Sequence, residues 1–338
     1  MSAASLVTSV ASQAGTTLLG VVLAVGGFIG ILAIVFFIAG RVTGRFERPL
    51  AIVICLVPAL FLVTLGLIIP ALTTINNSFT DQQFLGQQKV SYIGLKNYIH
   101  AFTDPATQQT IVRTVLWLLI VPAFAVGVGM LMALLVDRMK HPSLPKTMVF
   151  LPTAISFVGA AVIWGYVYSW KDPSLPQTGL LSQLAIWLGW NNPPNWMLSS
   201  PLNTFLMMVI LIWIQAGFSM VVLGAALKAI PEEVVESARM DGASGWRLFR
   251  SIQVPMIRST IVVVLTTVMI TTLKVFDIVF TMTNGNFNTD IIARRMFSDM
   301  FVTSQVGRGS ALAVILFIAV IPLVFYNVRQ LRREREIR

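Results

Sequence analysis

The sequence predicts an all-α membrane protein with about seven transmembrane helices, and three observations carry that reading. Uncharged or nearly uncharged apolar runs of 20 to 25 residues recur seven times along the 338 residues. At 1.5 Å per residue each can cross a hydrocarbon core of roughly 30 Å. Charged residues make up only 11% of the chain and the mean hydropathy is +0.80, whereas soluble domains carry roughly 25% charge. Lys and Arg, finally, gather in alternate connections, as they do when those connections stay on the cytoplasmic side.

The first run, 16–40, follows an uncharged start, MSAASLVTSVASQAG. Without a basic n-region it reads as a retained anchor, not a cleavable signal peptide. The second run, 50–72, contains Cys55, the only cysteine, which excludes an intramolecular disulfide and a cysteine-based metal site. His100 and His141 are the only histidines and fall in apparent loops far apart, which disfavours a metal-dependent hydrolase. Runs three, four and seven, at 114–136, 147–170 and 309–328, contain Pro122, Pro152 and Pro322. Each proline predicts a bend. Run five is 203–227, and run six, 259–282, is the only one with charges, Lys274 and Asp277. Strands of a membrane barrel would be about ten residues long with strict alternation; these runs are longer and apolar on every face.

Of the 24 Lys and Arg, 16 follow runs one, three, five and seven. That places those connections and the basic tail 329–338 in the cytoplasm and the N-terminus outside. The net charge of +10 therefore reports topology, and no nucleic-acid partner is indicated. The chain contains no G-x-x-x-x-G-K-[ST] and no Gly-Lys dipeptide, so it cannot hydrolyse ATP through a P-loop of its own.

The segment 230–257, IPEEVVESARMDGASGWRLFRSIQVPMI, is too polar for the membrane and too patterned for a slack loop. Two short helices are expected. Pro231 suits the first helical position, and Glu232 and Glu233 fall in the first turn, where negative charge meets the positive end of the macrodipole. Gly242 supplies a stop with φ > 0, Ser244 suits the cap of a second helix through Trp246, Leu248, Phe249 and Ile252, and Pro255 ends it. An amphipathic surface helix is the bland alternative.

Glu236-Ser237-Ala238, three residues, Gly242, nine residues, Ile252, one residue and Val254-Pro255 resembles the EAA motif of permease subunits in ATP-binding-cassette importers, EAA-x3-G-x9-I-x-L-P. Ser237 and Val254 depart from it. Tyr92 to Tyr98, Asn195 to Leu198 and Phe276 to Val279, followed by Thr283-Asn284-Gly285, look like the carbohydrate branch, the maltose-transporter type. The resemblance implies a six-helix type I importer core at 50–328, with 1–49 as an added N-terminal helix and basic loop. It also implies that the 232–240 helix couples to an ATPase through Glu232, Glu233, Glu236, Ser237, Ala238, Asp241, Gly242 and Ala243. The partners so implied are a second homologous permease subunit, two ATPase subunits and an extracytoplasmic solute-binding protein. No cofactor is expected in this chain; ATP and Mg belong on the partner ATPases, so the chain is a transport subunit and not an enzyme.

A sugar path needs hydrogen bonds to hydroxyls and an aromatic wall inside an apolar bundle. Trp213, Gln215 and Phe218 in run five and Thr271 and Thr272 in run six supply those chemistries, and by position the resemblance favours Gln215, Phe218 and Thr272. Lys274 and Asp277, three apart, are expected to pair on one helical face, with a solute contact as the alternative. The function implied is translocation of a di- or oligosaccharide across a bacterial or archaeal cytoplasmic membrane. A non-sugar solute and a self-sufficient secondary transporter are the alternatives, although the latter needs more intramembrane carboxylates than Asp277 alone.

Overall fold

The computed structural model describes residues 56–83, 90–137, 139–172 and 174–337, together with Gly26, Gly27, Gly30, Ala33 and Phe37, and side chains as far as 329. The first run is helical at those five positions; the rest of it lies outside the described residues. So do Cys55, Arg41, Arg45, Arg48, Lys89 and Arg138, and the side chains of Arg332, Arg333, Arg335 and Arg338. The chain divides into two compact units, 1–73 and 74–338. Helix α1 (Leu56–Asn77) belongs mostly to the first and is long and apolar enough to cross a membrane.

The second unit is helical, and among its described residues the only paired extended backbone is a bridge between Thr80 and Tyr92. Asn97 fixes that corner by donating from its amide nitrogen to the carbonyls of Ser78 (2.9 Å) and Thr80 (2.8 Å). It sits on helix α2 (Lys96–Thr103). His100 lies on the same helix, not in a loop as its polar neighbours suggested.

Four described helices are long and apolar enough to span alone, and two bent pairs bring the total to six if each pair is one span. Helix α3 (Pro105–Val136) begins nine residues before the expected 114, because Asp104 caps it by accepting from the Thr107 N–H at 2.9 Å and Pro105 opens it. It continues unbroken through Pro122. The fourth run is broken. Helix α4 (Ser143–Phe150) runs into a 3-10 turn, Leu151–Ala154, that contains Pro152, and then turns by 107° into α5 (Phe157–Val167). Ser156 caps α5, its hydroxyl accepting from the Gly159 N–H at 3.1 Å. A short α6 (Leu180–Trp187) follows, then the long α7 (Leu202–Lys228).

After α7 come the two loop helices, α8 (Glu232–Met240) and α9 (Gly245–Met256), the latter with a π turn at Phe249–Gln253. The chain bends by 74° into α10 (Arg258–Leu273). Run six also breaks: α10 stops at Leu273, and a separate α11 (Asp277–Met282) follows. A short helix α12 (Ile292–Phe297) and a π turn, Ser298–Val302, lead into α13 (Val306–Ile337), which carries Pro322 and continues through the basic tail.

The core lies where α3, α7 and α10 meet. Trp117, Val121, Met207, Met208, Ile210, Leu211, Met220 and Leu223 are fully buried there. Small residues allow the approach. A Cβ added at Gly129 of α3 would stand 2.5 Å from the Ser219 Cβ and 2.9 Å from the Ala216 carbonyl of α7, and one added at Gly217 would strike the Val149 carbonyl of α4. Lipid supplies no hydrophobic drive between helices, so such close backbone packing is what holds spans together.

Between α11 and α13, Asp290 accepts two 2.7 Å bonds from the Arg294 guanidinium, and Arg295 stands 3.3 Å from Asp299. Burial pushes the Asp299 carboxyl above the usual carboxylate range.

Candidate functional site

The segment 230–257 forms two short helices joined by a tight turn, and its sequence explains each part. Pro231 sits one position earlier than expected, as the N-cap with extended ψ of 134°. Glu232 and Glu233 follow in the first turn, where their charge favours the helix start. The stop is a Schellman motif: the Ala243 N–H donates to the Ala238 carbonyl at 2.9 Å and the Gly242 N–H to the Arg239 carbonyl at 3.0 Å. That closure requires a left-handed residue between them. Gly242 supplies it, with φ +79°, and a Cβ there would meet nothing within 4 Å.

The same geometry accounts for the small residues on either side. Ala238, in the last turn of the helix, is the carbonyl acceptor and is 7% exposed, while Ala243 packs back as the partner whose N–H it receives. Glu236, Ser237 and Asp241 point to solvent. Ser244 stands at the N-cap of α9 with extended backbone, but its side chain makes no cap bond; its carbonyl receives the Arg247 N–H at 3.0 Å instead. Glu233, Ser237, Asp241 and Arg247 line a concavity of about 630 Å³ between the two helices.

Two large apolar side chains flank the turn without cover: Met240 is 88% exposed and Trp246 69%. Sequence pattern placed Trp246 on the second helix but did not mark either residue as exposed.

The ends of the spans beside the loop are tied together by one carboxylate. Asp137, at the end of α3, bonds Lys146 of α4 at 3.0 Å and lies 3.2 Å from Lys228 at the end of α7. Burial would raise its pKa, but the bonds to Lys146 and Lys228 outweigh that and hold the carboxyl below the usual range. Counting cations for topology overlooked this lone acid among them.

The proposed solute residues are less united. Trp213 packs edge-on against Trp164 of α5 with centroids 5.7 Å apart, and Phe218 lies half-buried on the core. Gln215 is half-buried and makes no side-chain hydrogen bond among the described residues. Thr271 and Thr272 bond their own helix, to the carbonyls of Thr267 (3.1 Å) and Val268 (2.8 Å), and Thr272 is 2% exposed. Thr272 is thus a packing residue in this conformation, because its proton is used and its surface covered.

The expected pairing of Lys274 with Asp277 does not form. The helix ends at Leu273, so Lys274 caps α10 while Asp277 opens α11, and spacing by three no longer puts them on one face. Among the described residues neither makes an ion pair.

The pattern of the family described as binding-protein-dependent transport system inner membrane component matches residues 99–335. The osmoprotective compounds uptake permease protein GgtC of Synechocystis is 43% identical over 281 residues, covering 83% of this chain and 99% of that one. The alpha-glucoside transport system permease protein AglF of Rhizobium meliloti is 44% identical over 280 residues, covering 82% of each. A crystal structure of a bacterial ABC transporter involved in the import of the acidic polysaccharide alginate shares the fold, with a TM-score of 0.72 at 21% identity over 85% of this chain and 97% of that one. With six described spans or bent span pairs, a protruding helical pair after α7 and this extent of similarity, the chain belongs to the family of binding-protein-dependent transport system inner membrane components, the permease subunits of ATP-binding-cassette importers.

Proposed function

We propose that the chain is the translocation subunit of an ATP-driven importer of α-glucoside-class sugars, and that α8 couples ATPase closure to alternating access. The observation that carries the coupling role is the Schellman-closed turn, which holds Glu236, Ser237 and Asp241 exposed on a rigid, short helix. An amphipathic helix presented this way fits a groove in a partner. The ATPase then needs no flexible contact: closing of two ATPase subunits displaces α8 as a unit and the displacement passes to α10 through the bend at Ile257.

The sugar class follows from the similarity to the α-glucoside permease. The similarity to GgtC favours a second reading, a permease for osmoprotective compounds, at nearly equal identity. In either case a second permease subunit, two ATPases and an extracytoplasmic solute-binding protein complete the machine. ATP and Mg act on the ATPases. The cation count supports an N-terminus outside and a C-terminus inside, with 1–49 as an added helix and loop, 50–328 as the permease and 329–338 as the basic tail.

The test is reconstitution of the full assembly in proteoliposomes with labelled α-glucosides and with labelled osmoprotective solutes. Uptake should require both ATP and loaded binding protein. Uptake by this chain alone, driven by a proton or sodium gradient, would replace the proposal with secondary transport.

A further inference from the structure

A groove of about 820 Å³ separates the loop helices from the ends of α3 and α7. Leu131, Leu134 and Leu135 of α3, Leu227 of α7, and Leu248 and Trp246 of α9 line it. Leu131 and Leu135 are each more than half exposed. Leu131 lies six residues inside the span from Asp137, which at 1.5 Å per residue is about 9 Å along the helix. The apolar wall therefore descends from the membrane surface to acyl-chain depth.

The mouth of the groove is positively charged. Lys228, Arg239 and Asp137 line it. Asp137 is shared by Lys146 and Lys228, so that node keeps one positive charge in excess, and Arg239 makes no ion pair among the described residues. Trp246 stands at the rim, 69% exposed and in ring contact with Phe249 at 5.3 Å. Indole rings favour this interfacial level, where one edge is wet and the other apolar.

We infer that this groove holds one anionic phospholipid, its acyl chain along the α3 leucines and its phosphate between Lys228 and Arg239. The chemistry excludes the neighbouring candidates. A peptide segment in extended form would bring backbone groups that the leucine wall leaves unpaired, and the exposed acids read as facing the ATPase, Glu233 and Asp241, line the adjoining concavity, which meets this groove at Ala243. A zwitterionic lipid would match the apolar wall but not the excess of two positive charges. The inference rests on the reading of 230–257 as a loop at a membrane face. Bound there, the lipid would brace the coupling helices against the spans.

Quenching by tail-brominated lipids tests it. The assembled transporter is placed in vesicles containing brominated phosphatidylglycerol or brominated phosphatidylcholine, and the emission owed to Trp246 is isolated by difference from Trp246→Phe. Phosphatidylglycerol should quench that emission at lower mole fraction than phosphatidylcholine, and high salt should narrow the gap. Arg239→Gln and Lys228→Gln should each reduce the preference about fivefold, while Arg239→Lys should keep it. Equal quenching by both lipids would overturn the inference. So would quenching by neither, which would show that protein covers the groove. Because uptake is not read in this assay, loss of lipid preference leaves the transport reading standing, and a complex that fails to transport leaves the lipid result intact.

Discussion

Replacing Gly242 separates backbone strain from steric contact at the coupling turn. Its φ of +79° is hostile to L residues, while the space around a new Cβ is empty. The cost of a side chain is therefore conformational: about 1–2 kcal/mol for alanine, less for asparagine, which tolerates this region, and more for β-branched valine. A penalty of that size shifts the balance between the capped and the opened turn by about 5-fold to 30-fold. The bonds at stake are Ala243 N–H to Ala238 and Gly242 N–H to Arg239, so the end of α8 frays and Glu236, Ser237 and Asp241 lose their fixed direction. In proteoliposomes containing the whole assembly, sugar accumulated per ATP hydrolysed should fall in the order glycine, asparagine, alanine, valine, with insertion and assembly unchanged. If asparagine were as damaging as valine, or if valine coupled as well as glycine, strain at this turn would not be what the motif glycine relieves.

Asp137→Asn should lower the thermal midpoint of the solubilised complex by a few degrees. In the parent, the carboxyl is held below its ordinary value, so its stabilisation is full above the ordinary carboxylate range and fades as pH falls through the lowered value; unfolding scans down the acid range should show this slope shrink in the variant. Gly129→Ala should cost about 1–3 kcal/mol through collision with Ser219, and Ser219→Gly in the same chain should recover part of it in denaturation midpoints, though not all, because the Ala216 carbonyl remains close. Gln215→Leu should raise the half-saturating sugar concentration about tenfold to hundredfold while Thr272→Val changes it little; equal effects would contradict the hydroxyl bonding seen at Thr272. For orientation, cysteine at Ser2 but not at Gln330 should react with an impermeant reagent on intact cells, in a Cys55→Ser background.

The spans were legible because hydropathy sums over 20 residues ignore direction, and the same property hid the breaks. Ser156 lies inside an apolar run, yet its hydroxyl caps a new helix. Capping chemistry marked that corner, but a window average erased it. Asp104-Pro105 likewise announced the true start of α3 by the N-cap and first-turn rules, while the run was measured from where polar residues ended. At Lys274 and Asp277 the spacing of three assumed a continuous helix, and the break removed the premise. The loop fared better. Its signals were local, a proline, two acids and a glycine, and each acts through the backbone of its own turn. Met240 and Trp246 were not legible as exposed, because exposure is settled by how α8 and α9 fold against each other.

In α10 the threonine side-chain bonds run backward within the helix: Thr266 to Val262 and Val263, Thr267 to Val263, Thr271 to Thr267 and Thr272 to Val268. Among the described residues, this helix sends no side-chain hydrogen bond to a neighbour. Its side-chain grip on α3 and α13 consists of dispersion contacts. A displacement of this span would therefore break no side-chain hydrogen bond to a neighbour, and its threonine hydroxyls would travel with it already satisfied.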